Sequence, residues 1–467
     1  MVLFYRDNRL RPMSSNALWV VLIWIMIIGS RTVSSWVGIE IDPDQKASVY
    51  LEGSPLDRNI YLALLIAGLW LLSRRKIDLG KVISSNRWFF AFFIYCGISI
   101  IWSDYPYIGF KRWIKDLGNV VMVLIMLTEK DPVNAIRSVL ARYTYFAIPL
   151  SVLFTKYFPD LGRYYNRWSG QAIFTGVAVE KNTLGILTFV CGLFLVWDVI
   201  ENLLDKARQT DRIDLFSRCC LLVMVFWLIV KTGSSTALVC LVLGTVLMLF
   251  MKIKVVRRQV RYLGTYSLIF GLLIFSLYAV PGLLQSLVKM VGRDITFTGR
   301  TEIWADVLAE PINPLLGTGY QSFWLGPGGA HMWEKYYFHP VQAHNGYLET
   351  YLNGGLIGLC LLVATLIYTG SKLKKDLLAG SSFGTLLFSL FVTAILYNWS
   401  EAMFSGLNLI WMVLIVAALY QYPRPKTAPV AEMSGISGTS PPNVPVNWAR
   451  KMPITADGRM TLNRRYP

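Results

Sequence analysis

Apolar runs of roughly 15–24 residues recur along this chain, and each is long enough to cross the ~30 Å hydrocarbon core of a bilayer as a helix. They lie at about 17–35, 59–73, 88–103, 114–128, 135–154, 177–197, 217–232, 235–251, 262–281, 346–369, 383–398 and 405–421. No period-two alternation of a barrel runs through them, so helices must satisfy the backbone polar groups inside lipid. With 54% hydrophobic and 16% charged residues among 467, too little polar surface remains for a soluble domain of this length. The sequence therefore predicts an all-α polytopic integral membrane protein with about twelve transmembrane helices, and one large outer loop before a C-terminal transmembrane hairpin set.

The formal charge of +17 would suggest nucleic acid in a soluble protein. Here the basic residues sit between apolar runs, and no module interleaving aromatic and basic side chains is present, so no nucleic-acid partner is expected. One alternate set of loops carries Arg74, Arg75 and Lys76, then Lys206, Arg208, Arg212 and Arg218. It continues with Lys252, Lys254, Arg257, Arg258 and Arg261, then Lys372, Lys374 and Lys375. The opposite loops are poorer in Lys and Arg, and the first of them is acidic (Glu40, Asp42, Asp44, Glu52, Asp57). Retention of basic loops on the cytoplasmic side places both termini in the cytoplasm.

Residues 1–16 read as a cytoplasmic N-terminus; Arg6, Arg9 and Arg11 before the first apolar run suit a signal anchor. Residues 17–422 form the transmembrane domain. Residues 423–467, rich in Pro, Ser, Gly and Thr, are expected to be a disordered cytoplasmic tail. The six cysteines lie in or beside apolar runs without metal or disulfide spacing and read as small core hydrophobes. No internal repeat is visible.

The longest polar interruption, residues 282–345, contains Trp304, Phe323, Trp324, Trp333, Tyr336, Tyr337 and Phe338, enough to pack onto the membrane domain. Ile303, Trp304, Val307 and Leu308 make one helical stripe that stops at Glu310-Pro311, because a residue before proline leaves the helical region. A structured loop of this length is more often functional than a connector.

All three histidines, His331, His339 and His344, fall in that loop. Placement in the main water-exposed segment explains the first two. Their spacing is not i,i+3 or i,i+4, and no Cys or paired carboxylate accompanies them, so no metal is assigned. His344 stands at the mouth of a span, where imidazole could accept a proton from a hydroxyl as a general base, or merely share in capping the helix with Asn345.

Arg163, Arg167, Lys181, Lys231, Arg293 and Arg300 lie on the outer face, against the positive-inside bias. Cations held there suggest an anionic ligand, though any one of them could snorkel to headgroups. Arginine's fork suits phosphate oxygens better than a lone ammonium does. Glu349, five residues after His344, and Glu401, between the last two spans, could orient the histidine or pair with an arginine. Ser235, in the polar cluster Thr232–Thr236, could hydrogen-bond a sugar or simply let helices approach closely.

In order and spacing, VEKNTLG (179–185), TGSSTALV (232–239), GRDITFTGRTEIW (292–304), LLGTGYQSFW (315–324), HNGYLETYLNGGLIG (344–358) and NWSEAMFSG (398–406) resemble the O-antigen ligase and polymerase superfamily of bacterial cell-surface polysaccharide assembly. The similarity runs over roughly residues 85–420, and GRDITFTGRTEIW is most like exopolysaccharide polymerases of the succinoglycan type. The resemblance implies an inverting, metal-independent glycosyltransferase that works without a cofactor at the periplasmic face of the bacterial inner membrane. It implies a glycan donor on undecaprenyl diphosphate and an acceptor that is a lipid-linked repeat unit (polymerase) or lipid A core (ligase), with other polysaccharide-assembly proteins as further partners. Carried onto this chain, His344 matches the histidine that activates the acceptor hydroxyl, and Arg300 the loop arginine that engages the diphosphate. Arg163, Arg167, Lys181, Arg293, Ser235 and Glu401 are the remaining candidates for binding diphosphate or glycan. A transporter or flippase of lipid-linked oligosaccharide is the rival from another class; it would more often show repeat symmetry and broken helices.

Overall fold

The computed structural model describes residues 15–38, 54–165, 170–204, 212–266 and 300–421. The longer helices among them are α1 (Ala17–Ile28), α2 (Pro55–Ser73), α3 (Arg87–Ile98), α4 (Pro106–Leu127) and α5 (Pro132–Tyr157). A short antiparallel hairpin, β1 (Arg163–Tyr165) and β2 (Ala172–Phe174), precedes α6 (Lys181–Leu204), α7 (Arg212–Thr232) and α8 (Ser235–Lys252). Then come α9 (Arg300–Ala309), α10 (Pro327–Lys335), α11 (Gly346–Leu378), α12 (Ser382–Tyr397) and α13 (Leu409–Leu419). Six of these, α2, α5, α6, α7, α8 and α11, are long and apolar enough to cross a membrane; α1, α12 and α13 are shorter apolar helices. The run at 262–281 falls mostly outside the described residues, and the N-terminal segment 1–14 and the whole tail, 423–467, lie outside them.

Local chemistry fixes the helix starts. Proline opens α2, α4, α5 and α10, where its missing N–H costs nothing. Asp131, Ser234, Asn345, Ser381 and Asn408 cap α5, α8, α11, α12 and α13 by accepting backbone N–H bonds from the first turn. Burial then sorts the helices. Leu18, Leu22 and Trp24 of α1, Leu386 and Phe388 of α12, and Ile410 and Ile415 of α13 are buried. Ile66 and Trp70 of α2, Val223 and Phe226 of α7, and Val239 and Val242 of α8 face outward instead. Apolar residues on both the inner and outer faces suit a bundle whose solvent is lipid.

The loop ahead of α11 is folded around a small separate core, built from Ile303, Val307, Phe323, Trp324, Met332 and Ala343 of the loop with Leu352 of α11. The predicted stripe on α9 is present with one exception: Leu308 is exposed while Ile303 and Val307 are buried. The segment after α9 also opens α11. Gly355 there has φ +59°, a left-handed conformation, and a Cβ on it would overlap the Leu315 carbonyl. The loop repairs the broken ladder: Leu356 and Ile357 donate to the carbonyls of Pro314 and Leu315, while Thr318 and Gly319 donate to those of Leu352 and Asn353. Non-helical backbone inside a helix of membrane-spanning length persists where another segment of protein satisfies it.

A buried ionic cluster ties α5, α6 and α7 together. Asp198 Oδ2 lies 2.6 Å from Arg218 Nε as an ion pair and Asp198 also pairs with Arg137, while Arg218 Nη1 lies 2.8 Å from Asp214 Oδ2. Asp198→Ala would leave two largely buried guanidiniums without their shared carboxylate. Removing one member of such a buried set costs about 3–5 kcal/mol. The purified variant should melt well below wild type in detergent, as read by intrinsic fluorescence, and an unchanged melting temperature would contradict the assignment.

Candidate active site

The turn between α12 and α13 places Glu401 at the junction of four elements. Its side chain is only 4% exposed and accepts from three donors. Arg300 Nη2, from the first residue of α9, lies 2.9 Å from Oε1. Asn182 Nδ2, from the first turn of α6, lies 2.8 Å from the same oxygen. His344 Nδ1 lies 3.0 Å from Oε2. Residues far apart in sequence thus meet on one carboxylate, and the His344 and Arg300 side chains remain 28% and 23% exposed, facing outward from it.

Since the carboxylate can only accept, the Nδ1 facing it carries the proton in neutral His344, which leaves Nε2 with its lone pair. The carboxylate also stabilises the imidazolium that forms when Nε2 takes a proton. His344 itself has φ +50°, uncommon for a side chain of this size and the kind of strain that collects at functional sites. Asn345 follows it, accepting from Tyr347 and Leu348 N–H to start α11. Capping is therefore Asn345's work, and the imidazole is left for another task.

Glu349 does not touch His344. Its carboxylate accepts Ala343 N–H at 2.9 Å and Trp324 Nε1 at 3.0 Å, and Trp304 Nε1 donates to the Ala343 carbonyl at 2.8 Å. Glu349 thereby fixes the backbone one residue before the histidine. Glu349→Gln replaces one acceptor oxygen with a donor facing these N–H groups; the 343–345 segment should loosen, seen as faster amide exchange there by mass spectrometry.

Arg300 serves the site differently from a free cation. One terminal nitrogen is given to Glu401 and the other to the Ser400 carbonyl. The guanidinium therefore links the folded loop to the turn as well as supplying charge beside the histidine. Arg163 is half-buried in β1, in register with Phe174, and Lys231 Nζ sits 5.5 Å from the Phe174 ring centre. Lys181 is exposed at the start of α6, one residue before Asn182. Arg167 and Arg293 lie outside the described residues. Ser235 is exposed; from the same cluster it is Thr236 whose hydroxyl meets Ser400 Oγ at 2.9 Å.

The other histidines have separate partners. His331 Nδ1 lies 2.6 Å from Glu310 Oε1, and His339 stacks on Trp333. Nearby, Asp306 receives Lys335 at 2.6 Å and the Tyr336 hydroxyl, and these bonds hold its carboxyl below the usual range. A depressed carboxylate contributes stability above its unfolded pKa and loses it as pH falls through the folded value. Acidification below the ordinary aspartate range should therefore loosen α9 from α10, followed as a tryptophan emission shift that Asp306→Asn removes.

Sequence reasoning singled out His344, Arg300 and Glu401, which the structure brings together; it named Thr236 only within the polar cluster 232–236 and gave Asn182 and Ser400 no role. Asn182 and Thr236 are small polar residues at helix starts, where capping is the ordinary expectation, so only their convergence on the α12–α13 turn marks them.

Residues 220–363 match the sequence profile of the O-antigen ligase family. The interval contains His344 and Arg300 and ends before Glu401. The chain is also 28% identical over 312 residues to the exopolysaccharide production protein ExoQ of Rhizobium meliloti (strain 1021), covering 64% of this chain and 68% of that protein. Both comparisons agree with the resemblance carried by the sequence motifs.

Proposed function

We propose that this protein is an inner-membrane glycosyltransferase that moves a glycan from undecaprenyl diphosphate to a hydroxyl of an acceptor sugar at the periplasmic face, polymerising exopolysaccharide or O-antigen repeat units. The observation that carries this reading is the chain of contacts from Arg300 through Glu401 to His344. A histidine held in one tautomer beside a fixed arginine at the outer end of a membrane bundle suits glycosyl transfer from a diphosphate. Nε2 of His344 takes the proton of the acceptor hydroxyl while its oxygen attacks the anomeric carbon. The bond from that carbon to the diphosphate oxygen breaks with inversion, and its electron pair leaves on the lipid diphosphate. Fixed cations stabilise that developing charge without reorganising at the moment of reaction. Arg300, paired with the same carboxylate as the histidine, is the first candidate, with Arg163, Arg167, Lys181 and Arg293 as the wider set, and no metal or cofactor is required by this scheme.

The similarity to an exopolysaccharide production protein favours polymerisation over transfer to lipid A core. The test is an assay of purified protein in nanodiscs with undecaprenyl-diphosphate oligosaccharide, with and without lipid A core, in EDTA. A ladder of longer lipid-linked glycans supports the polymerase. Transfer only when core lipid is present makes it a ligase. No turnover of several different repeat units, together with movement of labelled donor across the bilayer, would establish the transporter instead.

A further inference from the structure

One buried carboxylate has no part in the scheme above. Asp116 of α4 is 1% exposed within the bundle and accepts four hydrogen bonds, each from a neutral donor. Trp411 Nε1 lies 2.8 Å and Asn119 Nδ2 3.0 Å from Oδ1, while Tyr320 OH lies 2.8 Å and Gly406 N 3.3 Å from Oδ2. An acidic side chain inside a membrane bundle is costly to keep and marks function more often than packing. A carboxylate met only by neutral donors is costlier still than an ion pair of good geometry.

The donors show what the cost maintains. Gly406 lies at the end of the turn that carries Glu401, Trp411 lies in the first turn of α13 that follows it, and Asn119 Nδ2 holds the Gly406 carbonyl as well, at 3.0 Å. Tyr320 belongs to the loop, and the next residue, Gln321, has φ +50°, a conformation unusual for glutamine. Gln321 Nε2 lies 3.3 Å from Ser405 Oγ, and its carbonyl accepts from Arg112 at 2.9 Å. The other end of the turn is pinned by Asn398, whose Oδ1 accepts Met403 N–H and whose carbonyl accepts Gly346 N–H, two residues after His344. Glu401 therefore sits on a span of chain clamped once to the histidine's own segment and once to Asp116.

We infer that Asp116 is a positioning residue for the Glu401–His344 pair, acting through the 402–411 segment, and this role rests on the proposed glycosyl transfer. Asn at this position keeps the shape but cannot keep all four bonds. Its amide nitrogen must face either Gly406 N–H or Trp411 Nε1–H, donor against donor, so one tie to the turn is lost whichever way it rotates.

The test compares wild type, Asp116→Asn and Tyr320→Phe as full chains in nanodiscs. Amide exchange by mass spectrometry should quicken in residues 399–408 of Asp116→Asn while α5 and α6 stay as protected as in wild type; Tyr320→Phe should show a smaller change in the same direction. Turnover with undecaprenyl-diphosphate oligosaccharide should fall about tenfold in kcat with KM little changed, within the range of coupling between residues of one network. In a Glu401→Gln background the Asp116→Asn change should cost nothing further, because the group it positions is already gone; a merely structural aspartate would give additive losses. Unchanged exchange at 399–408, or additivity, overturns the assignment. Exchange is read without turnover, so a wild-type chain that is inactive on every lipid-linked glycan sinks the proposed function while the clamp is still judged by the exchange data.

Discussion

His344→Ala is expected to abolish glycan extension almost completely while the protein accumulates in the membrane at wild-type levels. Loss of a positioned general base costs typically 10²–10⁴-fold in rate, and the loss should fall on kcat, because the imidazole acts as the hydroxyl gives up its proton. The fold should tolerate the change. Asn345, not His344, caps α11, and Glu349 holds the preceding backbone through Ala343 N–H. Alanine is less at ease than histidine in the left-handed conformation, so a modest drop in melting temperature is expected. The measurement is product formed per folded protein, with folding judged by a monodisperse elution profile. A variant that elongates glycan at wild-type rate would remove His344 from the chemistry, and one that fails to accumulate would mark it as structural.

A helical membrane protein was legible in the sequence, and so were His344 and Arg300 as candidates, but not the assembly that joins them. Apolar runs report membrane spans directly, because lipid leaves the backbone no alternative to the helix. Residues such as Leu22 and Ile415, buried among helices, and Ile66 and Phe226, facing outward, are equally apolar, so hydropathy marks apolar helices without separating core from rim. His344 and Arg300 stood out because histidines are few and because basic residues in loops expected on the outer face run against the positive-inside bias. Glu401 was legible as a carboxylate that could orient the histidine or pair with an arginine, or as one of the candidates for binding substrate; its meeting with both His344 and Arg300 depends on α12, α6 and the loop converging. Asp116 was invisible, since one acidic residue in a run already holding Lys111, Arg112 and Lys115 reads as an interfacial charge. The break in α11 was also hidden. Glycine pairs such as Gly354-Gly355 are common in membrane helices, and only the loop strand lying against Gly355 shows why the helix opens there.

Glu401 should prove nearly as costly to lose as the histidine, for a different reason. Glu401→Gln keeps the volume and one acceptor oxygen, but its amide nitrogen must face Asn182 Nδ2 and Arg300 Nη2 on one side or His344 Nδ1 on the other. Three donors converge on two oxygens, and glutamine supplies only one. If the amide nitrogen turns toward His344, the imidazole must present a lone pair at Nδ1 and carry its proton on Nε2, where it cannot take one from an acceptor. If it turns the other way, Arg300 loses its carboxylate and keeps its bond to the Ser400 carbonyl. Either arrangement also removes the negative charge that stabilises the imidazolium. A wrong tautomer alone costs about 10⁴-fold in the serine-protease triad. In this more exposed site a fall of roughly 10²–10³ in kcat is expected, within the usual range for a misassigned acid–base group. Because the two residues act as one unit, the double variant His344→Ala with Glu401→Gln should be no slower than His344→Ala alone. Losses that multiply in the double variant would mean that Glu401 stabilises the transition state independently of the histidine, through Arg300. Full activity in Glu401→Gln would separate the carboxylate from the reaction and leave it as a buried strut between the loop and the bundle.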